Sequence, residues 1–196
     1  MQIAVILILF LAGSALAFAG PLHDAARKGD LEQARALIGE GAAIDAQNER
    51  GETPLILAIL AGNDAIAELL IEKGAAIDGC NAGGFTPLHA AAYAGDAAMA
   101  ELLIDHGADV NDAQNKASVT PLFPAIEEDH AGVAELLIAK GADLRLQERH
   151  GYTALTRAVF KDHEDMVRLL KTHGAECQSS DVLGDFFYPR CLEVGN

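Results

Sequence analysis

The chain has 196 residues and a formal net charge of -15, from 14 Lys+Arg against 29 Asp+Glu. Such an acidic chain lacks the basic face that phosphate contacts need, which excludes nucleic-acid binding, and it cannot dock on anionic lipid through charge. With 51% hydrophobic residues, much of it Ala, only 5% aromatics and no Trp, it reads as one folded domain with a core of small aliphatic side chains.

In chain order, residues 1–19 carry no charged side chain. Ile3 to Ala12 is a continuous apolar run, stopped by Gly13-Ser14. Two A-x-A sites follow, Ala15-Leu16-Ala17 and Ala17-Phe18-Ala19. This is the pattern of a secretory signal peptide, with cleavage after Ala17 or Ala19. It predicts a periplasmic or secreted protein with no membrane association after cleavage. The segment has no Lys or Arg before the apolar run, and an uncleaved membrane anchor is the alternative.

Beyond it the sequence repeats itself. Thr53-Pro54-Leu55, Thr86-Pro87-Leu88, Thr120-Pro121-Leu122 and Thr153-Ala154-Leu155 recur at steps of 33, 34 and 33. Gly41-Ala42, Gly74-Ala75, Gly107-Ala108, Gly141-Ala142 and Gly174-Ala175 keep the same step. A fixed period of this length signals stacked repeats, and five copies suffice to bury a continuous core. Each Thr stands where a helix N-cap is needed, with Pro at the first helical position in all but the last, where Ala154 replaces it. Met99, Leu102 and Leu103 continue an apolar stripe at i, i+3, i+4 spacing. Gly107 and its equivalents fall where a helix ends in a left-handed residue.

Thr86-Pro87-Leu88-His89-Ala90-Ala91, Gly95-Asp96, Leu102-Leu103-Ile104 and Gly107-Ala108-Asp109-Val110-Asn111 together resemble an ankyrin repeat almost residue for residue. The resemblance runs from about residue 20 to 176. It implies an all-α solenoid of paired antiparallel helices with projecting loops. The repeats divide as 20–51, 52–84, 85–118, 119–151 and 152–176, between the signal segment 1–19 and a tail, 177–196. It also implies a protein-binding module, with His23 and His89 bonding across loops and contacts made by loop tips and the concave side of the first helices. Three departures stand out. One extra residue precedes Thr120 and no Gly precedes Val119, so that loop is expected to be longer or displaced. Pro124 falls inside the first helix of repeat four. Lys171 stands where earlier repeats have Ile, as at the start of a polar C-terminal cap.

The positions that the family leaves to partners hold Glu52, Leu60, Phe85, Tyr93, Val119, Glu127, Glu128, Tyr152, Phe160 and Lys161. Phe85, Tyr93, Tyr152 and Phe160 are expected to form an apolar strip, since aromatics are enriched in interface cores. Nearby carboxylates would steer a protein partner with a basic patch.

The tail holds Phe186, Phe187, Tyr188 and Pro189, expected to fold over the open end of the last repeat; a partner-binding tail is the alternative. In an oxidising compartment, Cys177 and Cys191 would close a short loop, while Cys80 stays unpaired, open to reaction or dimerisation. No catalytic, cofactor or metal motif emerges. His163-Glu164 lacks the second His of a zincin helix, no C-x-x-C occurs, and Gly83-Gly84 is not followed by G-K-[ST]. The Asp162-His163-Glu164-Asp165 stretch reads as a solvated helix start. The sequence therefore predicts an exported binding module for an envelope or secreted protein, without enzymatic activity or cofactor. An immunity-like or inhibitor role, neutralising a toxin, is the runner-up. A membrane-anchored scaffold or an unrecognised enzyme are the readings of another class. The oligomeric state is left open.

Overall fold

A computed structural model describes residues 20–194. The expected signal segment lies outside the described residues. Five helix pairs follow in order: α1 (Pro21–Lys28) and α2 (Leu31–Gly39), α3 (Pro54–Leu60) and α4 (Asp64–Glu72), α5 (Pro87–Ala94) and α6 (Ala97–Asp105), α7 (Leu122–Glu127) and α8 (Ala131–Ala139), α9 (Ala154–Lys161) and α10 (Glu164–Thr172). A final element, α11 (Ser180–Glu193), closes the chain. The first helices pack in sequence, α1 on α3, α5, α7 and α9, and the second helices lie behind them. The helices are short, so they draw their stability from this packing more than from intrinsic propensity.

Local chemistry explains each pair. Thr53 Oγ1 accepts from the Ile56 N–H (3.3 Å), and Thr153 Oγ1 from the Thr156 N–H (3.4 Å). Asp30 and Asp96 cap α2 and α6 in the same way, accepting from Gln33 N–H (3.0 Å) and Met99 N–H (2.9 Å). In repeat four the pattern shifts. Pro121 is itself helical in φ/ψ, the Phe123 N–H bonds to Thr120 O (3.0 Å), and α7 starts only at Leu122. Pro124 sits in its first turn, where a missing N–H costs least. Alanines 58, 91, 125 and 158 have no solvent exposure, because neighbouring first helices meet there.

The turn between paired helices needs a left-handed residue. Gly95 adopts φ +75°, and a Cβ there would lie 2.7 Å from the His130 ring of the next repeat. Close approach and backbone conformation both demand glycine at that point. His130 uses the approach to bond Tyr93 O through Nε2 (3.0 Å), as Asn63 Nδ2 bonds Ala26 O (2.7 Å) and Arg27 O (3.2 Å) two repeats earlier. Repeats four and five place Asp129 and Asp162 in the same conformation, at φ 58° and 63°, which Asp tolerates better than most residues.

The loops are joined tip to tip. Ala82 N–H donates to Arg50 O (2.9 Å), Lys116 N–H to Gly83 O (3.0 Å) and Arg149 N–H to Ala117 O (2.9 Å). The repeat-four loop is longer but not displaced: the extra residue is taken up before Asn115, and the tip keeps its register. Ser118 takes the left-handed position at φ 54°, and the Asn115 carboxamide holds the turn by accepting from Val119 N–H (3.1 Å) and donating to Val119 O (2.6 Å).

His89 ties the loops to the core. Its Nε2–H donates to Val119 O (3.0 Å), leaving Nδ1 to accept from the Thr86 hydroxyl (2.8 Å). The ring is 2% exposed, and burial pushes its pKa below the ordinary histidine value. The unfolded chain therefore takes up this proton more readily. The stability the neutral ring contributes is complete above about pH 6.5 and is lost as pH falls through the depressed folded value. Thermal melts of the wild type should drop between pH 7 and 5, and His89→Gln should shrink that drop while lowering the melt at pH 7. An equal drop in both proteins would contradict this role.

The tail covers the last repeat. α11 packs on α9, with Leu183 and Cys191 buried and Phe187 and Tyr188 against the core. Gly184 breaks the helix with φ 72° and ψ 168°. Cys177 and Cys191 are joined by a disulfide, whereas Cys80 is an exposed free thiol. Lys171 Nζ donates to the carbonyls of Cys191 (3.0 Å), Leu192 (3.3 Å) and Val194, where a cation complements the negative end of α11. Gln178 fills the place of a following loop: its Oε1 accepts from Thr153 N–H (3.0 Å), and its Nε2 donates to Gly151 O (2.8 Å).

Candidate functional site: an apolar cup and an acidic bay on the first-helix face

Two positions of each first helix in repeats two to five face away from the second helices. Four residues after the cap position come Leu57, Ala90, Pro124 and Arg157, and seven after it come Leu60, Tyr93, Glu127 and Phe160. They are three apart on a helix and share one face. The residue before each cap, Glu52, Phe85, Val119 or Tyr152, borders that face from the loop.

In the middle of the array this face is apolar and open. Leu60 is 42% and Tyr93 54% exposed. With Ile56, Phe85, Ala90 and Pro124 they line a cup of about 210 Å³. Phe85 is half-buried and meets the His89 ring edge-on, with centroids 5.5 Å apart. Phe85, Tyr93 and Pro124 also border a wider bay of about 440 Å³, whose other walls include Val119, Phe123, Glu127, Glu128 and Glu148. Tyr93 is thus the ridge between cup and bay.

The charges in the bay are unequal. Glu127 accepts from Arg157 Nε (2.7 Å) and pairs with Lys161 (2.5 Å). Burial alone would raise its pKa, but the hydrogen bonds from Lys161 and Arg157 outweigh it and hold the carboxyl below its ordinary value. Glu148 is also held low: burial opposes this, and hydrogen bonds from His150 and from the Tyr152 N–H prevail. Its partner His150 Nδ1 lies at 2.9 Å. Glu128 is exposed and makes no ion pair among the described residues.

Six of the ten expected contact residues, Leu60, Phe85, Tyr93, Val119, Glu127 and Glu128, therefore border one surface. The continuous aromatic strip does not form. Phe160 is half-buried, with Tyr152 on one side (5.1 Å between centroids) and Phe187 of the tail on the other (4.8 Å). Phe160 belongs to the cap's packing because Phe187 of α11 lies against it, and Tyr152 joins it through Phe160. Glu52 is bonded by the Asn48 carboxamide (2.8 Å) and lines a separate polar hollow with His23, Arg27 and Arg50. Lys161 reaches the site only through Glu127.

Ala90, Pro124 and Arg157 were not expected there; their shared register four residues after the cap is the signal that marks them. Among the described residues, no group of three or more His, Cys, Asp or Glu is placed to hold a metal ion, and no helix is long and apolar enough to cross a membrane. Glu164 and Asp165 are engaged by Arg168, and Asp162 by Arg190, so the acidic stretch at α10 is internally paired.

No curated protein matches the chain. The family model described as ankyrin repeats (3 copies) matches residues 22–114 and 111–181. With the match running through all five stacked helix pairs, the chain belongs to the ankyrin-repeat family, whose arrays serve as protein–protein interaction modules.

Proposed function

We propose that this chain is an exported interaction module that binds an envelope or secreted protein through the first-helix face of repeats two to four, and that the partner presents a basic patch there. The observation that carries the reading is the pair Leu60 and Tyr93, exposed around an apolar cup that the stack leaves open. Exposed aromatic and aliphatic anchors of this kind dominate protein interfaces, and the charge of -15 favours encounter with a basic surface.

Export rests on the apolar run and the two A-x-A sites. Protein from the native host should begin after Ala17 or Ala19, by N-terminal sequencing and intact mass, and should fractionate with the periplasm or medium. Membrane-embedded protein starting at Met1 would overturn export with cleavage and support the anchor. Binding is tested by site-specific photo-crosslinking in envelope extract, from position 60 and from position 32 on the opposite side of the array. A partner crosslinked from position 60 alone supports the reading; equal crosslinking from both contradicts it.

A further inference from the structure

The surface around Tyr93 has two unlike halves that share walls. The cup is almost wholly apolar, and at about 210 Å³ it is smaller than the roughly 300–1,000 Å³ of a small-molecule site. That size suits one large side chain. Beyond the Tyr93 ridge the bay carries three carboxylates. Arg157 and Lys161 satisfy Glu127, and His150 sits on Glu148, which leaves Glu128 with no ion pair among the described residues. The half-exposed Tyr93 ring adds a face on which a cation can rest.

Building on the binding face proposed above, we infer that this site recognises a protein segment pairing one large apolar side chain with a nearby Lys or Arg, the apolar group in the cup and the cation crossing Tyr93 to Glu128. Charge decides between occupants. An acidic segment would meet Glu128 within a field of -15, and a second copy of the chain would set -15 against -15. A purely apolar segment would leave Glu128 unanswered. The cation supplies discrimination as much as affinity, because the wrong charge is repelled.

The test is selection of short random peptides displayed on phage against the purified disulfide-bonded protein, followed by titration of the enriched peptides. The enriched set should pair Leu, Ile, Met or Phe with Lys or Arg close in sequence. Tyr93→Ala and Leu60→Asp should each weaken those peptides by about tenfold or more, with melting curves close to wild type. Glu128→Lys should weaken the same peptides and turn a repeated selection toward Asp and Glu. Peptides that depend on Tyr93 but show no basic residue, or ignore Glu128→Lys, would overturn the pairing and leave the binding face standing. A selection yielding no peptide sensitive to Tyr93→Ala or Leu60→Asp would overturn both.

Discussion

Leu103→Ala should lower the unfolding free energy by about 2–5 kcal/mol, the usual cost of a leucine-sized cavity in a packed interior. Leu103 lies in α6 with no solvent exposure, in the central repeat of the stack. A repeat array is held by terms within each repeat and between neighbours, so a cavity at its centre weakens the link between its two halves. Urea unfolding should show a lower midpoint and a broadened or split transition. Tyr93→Ala, at an exposed position of the same repeat, should stay within about 0.5 kcal/mol of wild type. Comparable losses in the two variants would place Tyr93 in the core and not on an open first-helix face.

Opening the Cys177–Cys191 bridge should cost about 3 kcal/mol in the chain-entropy description of a loop this short. The effect should be local. The bridge, the Lys171 contacts and Gln178 together hold α11 over α9. In Cys177→Ser or in reduced protein, hydrogen exchange should rise first in α11, α9 and α10, while α3 to α6 keep their protection. Phe160 and Phe187 would lose their contact in the same step. Uniform loosening along the array, or none, would show that the tail does not cap the stack.

The repeats were legible because their signals are local. Thr86-Pro87-Leu88-His89 states a cap, a first helical position, a core residue and a cross-loop bond within four residues, and all four are present. Lys171 was legible as a departure, and its three carbonyl contacts explain why Ile would not serve there. The candidate site was legible only in part. Phe160 stands at a position that the stack leaves open, but Phe187, outside any repeat, covers it, and no periodicity places a non-repeating tail. Glu127 looks free in sequence; Arg157 and Lys161 reach it from the next repeat, a pairing visible only once the stacking register is known. The loop before Thr120 breaks the glycine pattern because Ser118 accepts the left-handed conformation while Asn115 fastens the turn.

We propose that a protein partner binds the face built around Leu60 and Tyr93. Its most direct test is the dissociation constant of the crosslinked partner, once identified, for wild type and for Tyr93→Ala. A central anchor is expected to contribute about 2 kcal/mol or more, about thirtyfold in Kd, chiefly through faster dissociation. An unchanged Kd for folded Tyr93→Ala would contradict it.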